Sequence, residues 1–502
     1  MWCGTPGGRD DAALVLVDDD TRWQAPVAPV RWGRLITDRP GTACETWGVP
    51  NAAQREGRKV EAVQLRGEIN PGTGFAGNQH VFDLVQNPPV WPGEGSPWGG
   101  LSGAAVFGDR LLFGVIASDR AFSGHGQLNF VPAYVLFHDP GFRAVLSEQT
   151  GWVPGLEAVE FQSLAGTDPA GGKVLRSPAA LLEAGRQTVP FRGRAQLLER
   201  LVTWCEQDGF GAWLLHGPGG QGKTRIAHEL GHQLGHRTGT DRWAVLWPHA
   251  DATGEALREL RHALKPLLVV LDYAENRTHQ ITALVEAAAE HSGNTPFKLL
   301  LLARTGGDWW TRAKSATGLA DEYLDGAPAH LLEPLEPDHS DRARAYEGAV
   351  QALADMLPRV NGCAATNWQA AADALPVPAL GQEGYGNALT LHMTALADLL
   401  DAAARPTPSE TDASTGPTTA DQGVEDRLLG HERRYWEQTA TAHGLSSALG
   451  RPVLETALAA AHLVGAGGDE QADRIWRALP ALADQPRTRR DGVTAWIGTL
   501  YP

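Results

Sequence analysis

Cysteine, lysine, methionine and long apolar runs are all scarce in this sequence of 502 residues. The four cysteines, at positions 3, 44, 205 and 363, form no C-x-x-C pair and are too thinly spread for a disulfide scaffold. Reduced thiols in a cytoplasmic setting are the simplest reading of them. Apolar runs such as Leu267–Leu271 and Leu299–Ala303 are far too short to cross a bilayer. The opening residues Met1–Asp11 lack the layout of a signal peptide. Positive charge is also short: 43 Lys and Arg oppose 59 Asp and Glu, a formal net charge of −16, and only six of the 43 are Lys. An acidic chain repels phosphate backbones, which disfavours general nucleic-acid and anionic-membrane binding. What remains is an ordinary globular balance, 42% apolar and 20% charged, long enough for two or three domains.

Composition changes near residue 150. Before it, short apolar runs such as Ala13–Val17, Ala104–Phe107 and Leu111–Ala117 are separated by turn residues, which predicts many short strands. Residues 150–190 read as a connector with one short helix at Pro178–Ala184. From 191 to about 335, helical patterns alternate with short, wholly apolar runs, the pattern of a parallel sheet covered by helices. After 340 the chain is Ala/Leu-rich and helical, interrupted by the Pro/Thr/Ser/Asp tract Ala402–Gln422, which reads as a disordered loop.

The segment Gly217 to Thr224 has the spacing G-x-x-x-x-G-K-T, with an apolar strand before it and a helix-forming stretch after it. Gly217, Gly219, Gly220 and Gly222 allow backbone N–H groups to turn inward around phosphate oxygens. Lys223 is placed for the β and γ phosphates and Thr224 for Mg²⁺. Leu267–Asp272 is a buried strand ending in a carboxylate, so Asp272 is the second candidate for Mg²⁺. Glu275 follows and can activate water or be a solvated loop acid. Arg304 ends a third apolar strand and can sense a γ-phosphate or form a surface ion pair.

In this setting the motifs resemble those of the signal-transduction ATPases with numerous domains, the STAND class, in its NACHT/NB-ARC-like form. Pro190–Arg194 is similar to the opening F-x-G-R box, which implies Arg192 or Arg194 near the adenine and ribose. Asp272–Glu275, Leu302–Arg304 with Trp309 and Trp310, Leu332–Leu335 and His431–Trp436 resemble later boxes, over roughly residues 175–502. Gly386–Leu391 stands where the family has G-x-P-L-x-L, but Ala388 replaces the proline that packs on adenine. The resemblance implies ATP/ADP and Mg²⁺ as ligands and an ADP-closed module that self-associates on ATP exchange. It also implies a place in bacterial defence or stress signalling.

A second pattern competes. His228, Glu229 and His232 form H-E-x-x-H, which on one helix face can hold zinc with Glu229 as general base. Here the motif lies on the helix that leaves the phosphate loop, and that helix is expected to pack along a sheet.

Trp98–Phe107 followed by Leu111–Ala117 resembles the nucleophile segment of trypsin-like serine proteases. That resemblance implies Ser102 as nucleophile, the N–H groups of Gly100 and Ser102 as oxyanion hole, and Asp11 (or Asp10) as orienting carboxylate. The general base is missing from its place. In the family His precedes Asp, whereas no residue before Asp11 is His, and His80 lies between Asp11 and Ser102. A serine without an imidazole is a poor nucleophile.

The expected architecture is therefore multidomain: a partial chymotrypsin-like β-barrel (1–145), a linker (146–187), an α/β P-loop NTPase domain (188–340) and an α-helical or winged-helix lid (341–502). Both ends read as truncated relative to the resembled families. The function expected is an ATP-binding and hydrolysing switch regulating a fused peptidase that acts on protein or peptide. The alternatives are a non-proteolytic, nucleotide-gated scaffold and, more remotely, a zinc metallopeptidase.

Overall fold

The structure, a computed structural model, describes residues 1–16, 30–54, 60–74, 77, 79–91, 94–150, 156–166, 175–235, 243–291, 294–336, 338–404, 423–445, 448–466 and 468–500. The chain divides into two compact units. One comprises residues 1–172, 194–219 and 223–333, the other 173–193, 220–222 and 334–502.

The first unit begins with a two-stranded ribbon, β1 (Trp2–Cys3) and β2 (Ala13–Leu14). An eight-stranded sheet follows, made of β3 (Trp32–Arg34), β4 (Thr42–Gly48), β5 (Val63–Ile69), β6 (His80–Leu84), β7 (Ala105–Gly108), β8 (Leu111–Asp119), β9 (Gln127–Pro132) and β10 (Leu156–Ala158). Six of these strands close on themselves in the order β7-β4-β5-β6-β9-β8, because β8 pairs with both β7 and β9. Closure removes the open edges that an antiparallel sheet otherwise exposes. In β5, Leu65, Gly67 and Ile69 are buried while Gln64, Arg66 and Glu68 are exposed, the period-two pattern of a strand with one wet face. Phe82, Phe113 and Phe130 fill the interior with Ile69, Val106 and Leu128. Two helices, α1 (Ala133–Leu136) and α2 (Pro140–Thr150), bring Phe137 and Phe142 against Trp2 and Trp32.

The expected connector at 150–190 is built into the fold over much of its length. β10 pairs in parallel with β3, and β3 pairs with β8. Ala158, Phe161 and Leu164 join Ile36 in the same apolar cluster as the strands of the following α/β layer. Gly166 donates to Trp247 O (2.7 Å) and His249 N–H to Leu164 O (2.9 Å), stitching this segment to the next sheet. Glu160 is held among these groups, accepting from the N–H groups of Ile36 and Thr37 at 2.8 Å each; burial raises its pKa against those bonds.

The α/β layer runs α3 (Ala195–Cys205), β11 (Phe210–His216), α4 (Lys223–Gly235), β12 (Ala244–Leu246), α5 (Gly254–Arg258), β13 (Leu267–Leu271), α6 (Thr278–Ala289), β14 (Phe297–Ala303), α7 (Asp308–Lys314), α8 (Gly318–Leu324) and β15 (Ala329–Leu331). All five strands are parallel, in the order β12-β13-β14-β11-β15. Every residue of β13 and β14 is buried, as continuous apolar runs in a parallel sheet require.

The second unit is helical. It contains a 3₁₀ turn at Pro178–Leu182, where a short helix was expected, then α9 (His339–Met356), α10 (Trp368–Asp373), α11 (Ala388–Ala404), α12 (Val424–Ala442), α13 (Arg451–Val464), α14 (Asp469–Ala478), α15 (Pro480–Ala483) and α16 (Arg487–Leu500). Two apolar clusters form, one around Tyr346, Leu353, Leu391 and Leu396, the other around Leu458, Trp476, Val493 and Trp496. Among the described residues of 341–500 there is no strand, so a helical region stands where a winged helix was one expectation. Of the tract expected as a disordered loop, Ala402–Ala404 close α11, and residues 405–422 lie outside the described residues.

The barrel interior explains why His80 is unlike an ordinary histidine. Its ring lies against Phe130 and Tyr134, it is 7% exposed, and its Nδ1 has no hydrogen-bond partner among the described residues. Burial pushes its pKa down to about 4. The unfolded chain therefore takes up a proton near pH 6.5 that the fold refuses until about pH 4. Stability is retained above pH 6.5 and lost as the pH falls through that window, by on the order of 3 kcal/mol. Urea melts of the full chain at pH 7 and pH 4.5 should show this slope, and His80→Leu should flatten it; an unchanged slope in the variant would assign the acid sensitivity elsewhere.

Candidate functional site

The loop between β11 and α4 carries the signature glycines. Gly217, Gly220 and Gly222 all have positive φ, at 148°, 78° and 87°. Within the second unit, the N–H of Leu389 donates to Gly220 O (3.1 Å), and a Cβ at position 220 would fall 2.3 Å from Asn387 Oδ1. No residue but glycine fits there. Gly219 is exposed at the loop's outer side.

Lys223 opens α4 and is 9% exposed. Its ammonium donates to Gly217 O (2.6 Å) and Pro218 O (2.8 Å), so it is folded onto its own loop. Burial lowers its pKa, opposed by the carboxylates of Asp272 and Glu275 and assisted by Arg304. The three charged residues that set this balance follow the ends of β14, the strand next to β11 in the sheet order, and β13, the one beyond it.

Thr224, the second residue of α4, donates its hydroxyl to Asp272 Oδ2 at 2.9 Å. The other oxygen of Asp272 accepts the N–H of Tyr273, also at 2.9 Å. Glu275 uses Oε1 to accept the N–H of Arg304 (3.2 Å), and its buried Oε2 has no partner among the described residues. The Arg304 side chain is exposed, with its guanidinium over the Tyr273 ring at 5.7 Å. The Thr224 hydroxyl and the Asp272 carboxylate therefore meet at the start of α4, and the Glu275 carboxylate, with one orphaned oxygen, is near enough to act on Lys223. This all-oxygen set fits a hard divalent cation such as Mg²⁺.

Arg194 lies apart from these groups in hydrogen bonding: its guanidinium donates to Glu333 O (2.7 Å). Arg192 pairs with Glu336 (3.3 Å) in the second unit. Tyr273 was not anticipated as part of the site. Its left-handed backbone has no signature in residue type, since a tyrosine is an improbable occupant of that region.

The H-E-x-x-H residues have structural employment. The His228 ring stacks on Trp247 (4.3 Å between centroids, 17° between planes), and Glu229 pairs with Arg225 at 3.2 Å. Among the described residues, no group of three or more His, Cys, Asp or Glu side chains is arranged to hold a metal.

On the barrel, Ser102 is exposed on a turn between Gly100 and Gly103, both with positive φ. A Cβ on Gly100 would come 2.4 Å from Val49 O, which fixes glycine there. Leu101, Gly103 and Ala104 donate their N–H groups to backbone carbonyls; those of Gly100 and Ser102 have no backbone partner among the described residues. The Ser102 hydroxyl donates to Ala117 O at 3.4 Å. Asp11 sits just before β2 in the separate ribbon, and Asp10 bonds the N–H of Thr5. Neither is hydrogen-bonded to an imidazole among the described residues. His125, the histidine that does meet a carboxylate in this barrel, bonds Asp119 at 2.5 Å.

Comparison with known proteins agrees with the α/β layer. A family model described as Novel STAND NTPase 5 matches residues 181–317. No curated protein matches the chain. Among solved structures the chain is similar to ORC1 of Aeropyrum pernix in complex with DNA, at 13% identity, over 65% of this chain and 87% of that one, with a TM-score of 0.30. It is similar to Cdc6p of Pyrobaculum aerophilum at 12% identity, over 62% and 96%, with a TM-score of 0.27. NtrX of Brucella abortus in complex with ATP matches at 11% identity, over 56% and 72%, with a TM-score of 0.27. The stretch 181–317 holds the glycine loop, Asp272, Glu275 and Arg304, and over those residues the chain is similar to a STAND-like P-loop NTPase.

Proposed function

We propose that this chain is a nucleotide-dependent switch that binds and hydrolyses ATP with Mg²⁺. The observation that carries the reading is the direct bond from Thr224 Oγ1 to Asp272 Oδ2, which brings both candidate metal ligands to the N-terminus of α4. Mg²⁺, when bound, supplies neutralisation of charge on the phosphate oxygens. Thr224 and Asp272 would hold it. The N–H groups opening α4 and the glycine loop would bind phosphate. Lys223 would leave its two loop carbonyls for a phosphate oxygen. Glu275 would orient water through its free Oε2 while Arg304 anchors its other oxygen, and the exposed Arg304 side chain would meet the terminal phosphate. ADP–ATP exchange would then shift the chain between resting and self-associating forms.

The barrel is, in this reading, the effector or partner-binding module. A non-hydrolytic role is favoured by the burial of His80 and by the bond of Ser102 to a main-chain carbonyl.

Lys223→Ala should weaken ATP binding by about 10- to 100-fold, the loss of a charge-assisted hydrogen bond, while circular dichroism stays unchanged. Retained affinity by calorimetry would argue against the loop as the phosphate site. In peptidase assays the chain and its Ser102→Ala variant should be equally inactive; a cleavage activity lost in the variant would establish the barrel as a working protease.

A further inference from the structure

Tyr273 has the one conformation at the site that its residue type does not explain. With φ 54° and ψ 44° it lies in the left-handed region, where a bulky side chain is strained. Two fixed points bracket it. On one side Asp272 is held by the Thr224 hydroxyl and by the Tyr273 N–H. On the other, Ala274 is fully buried in the core and Glu275 is held on the Arg304 N–H. The chain has a single residue in which to reverse between these anchors, and the turn is completed by Asn276 N–H bonding Tyr273 O at 3.0 Å. A glycine would make the same turn without strain. What the tyrosine adds is its ring, half-exposed, beneath the Arg304 guanidinium.

We infer that Tyr273 is a positioning residue of the nucleotide site, its left-handed backbone setting Asp272 and Glu275 in register and its ring carrying Arg304. The inference rests on the nucleotide reading given above. A residue that abandons the left-handed region must rotate the peptide between 272 and 273, because the anchors on either side do not move. That rotation removes the N–H from Asp272 Oδ1 and frees the carboxylate from its orientation toward Thr224. The strain is kept because a side chain that holds Arg304 is needed at the turn itself.

The test is the affinity of the full chain for mant-ATP, measured in EDTA and again in Mg²⁺. Tyr273→Gly and Tyr273→Val both lack the ring, but valine disfavours the left-handed turn and glycine does not. The Mg²⁺-dependent gain in affinity should survive in Tyr273→Gly and fall about 10-fold in Tyr273→Val, as loss of a ligand-orienting contact does. Affinity in EDTA should be equal in the two. Tyr273→Phe should match the native chain throughout. Should valine prevent folding, Tyr273→Ala replaces it in the same comparison with glycine. Equal Mg²⁺-dependent gains in the glycine and valine variants would overturn the inference while leaving the site intact. A native chain that binds no mant-ATP in Mg²⁺ would overturn the nucleotide reading and this inference together.

Discussion

One hydrogen bond organises the site, that between the hydroxyl of Thr224 and the carboxylate of Asp272. It joins the first turn of α4 to the end of β13, although β13 and β11, the strand that leads into α4, are separated in the sheet by β14. Neither side chain reaches the other unless the ends of β13, β14 and β11 lie level. That levelness is enforced by burial: β13 and β14 are dry along their whole length, and a slip in either would expose leucines or bury main-chain polar groups. The chemistry of the site thus follows from the core beneath it. Lys223, Glu275 and Arg304 come to the same place for the same reason.

The barrel and the α/β layer share that core. Ile36 from the barrel's first connection and Phe161 and Leu164 from the segment after β10 lie in one cluster with the leucines of β13 and β14. Main-chain bonds from Leu164 and Gly166 to the Trp247–His249 stretch add direction to the contact. Trp247 in turn stacks on His228, one turn and a half along α4 from the phosphate loop. A barrel attached this way is part of the same compact unit as Thr224 and Asp272, unlike a module on a tether.

Local features of the sequence were the legible ones. The glycine loop could be read because its spacing, the strand before it and the helix after it all occupy neighbouring residues. Asp272 and Arg304 could be placed at strand ends because each follows an uninterrupted apolar run. The barrel strands were visible as short apolar runs between turn residues, but the β8–β9 pairing that closes them joins partners chosen by the fold and not by any pattern. The stretch after residue 150 looked like a connector because Gly, Pro and Ser are scattered through it; Ala158, Phe161 and Leu164 become core only because the α/β layer lies against them. Likewise, nothing near His80 announces a dry pocket, since Phe130 and Tyr134 arrive from fifty residues away. The left-handed turn at Tyr273 breaks a local rule, and places where local rules are broken are where function and strain tend to coincide. The helical character of the last 160 residues was clear from their Ala/Leu content, while the choice between a helical and a winged-helix region was not, because a wing is two short strands in otherwise helical sequence.

Native mass spectrometry of the purified full chain tests the central claim most directly. One adenine nucleotide per chain, released when Mg²⁺ is chelated, is the result expected from the Thr224–Asp272 site. A chain that carries no nucleotide and acquires none from millimolar Mg·ATP would contradict it.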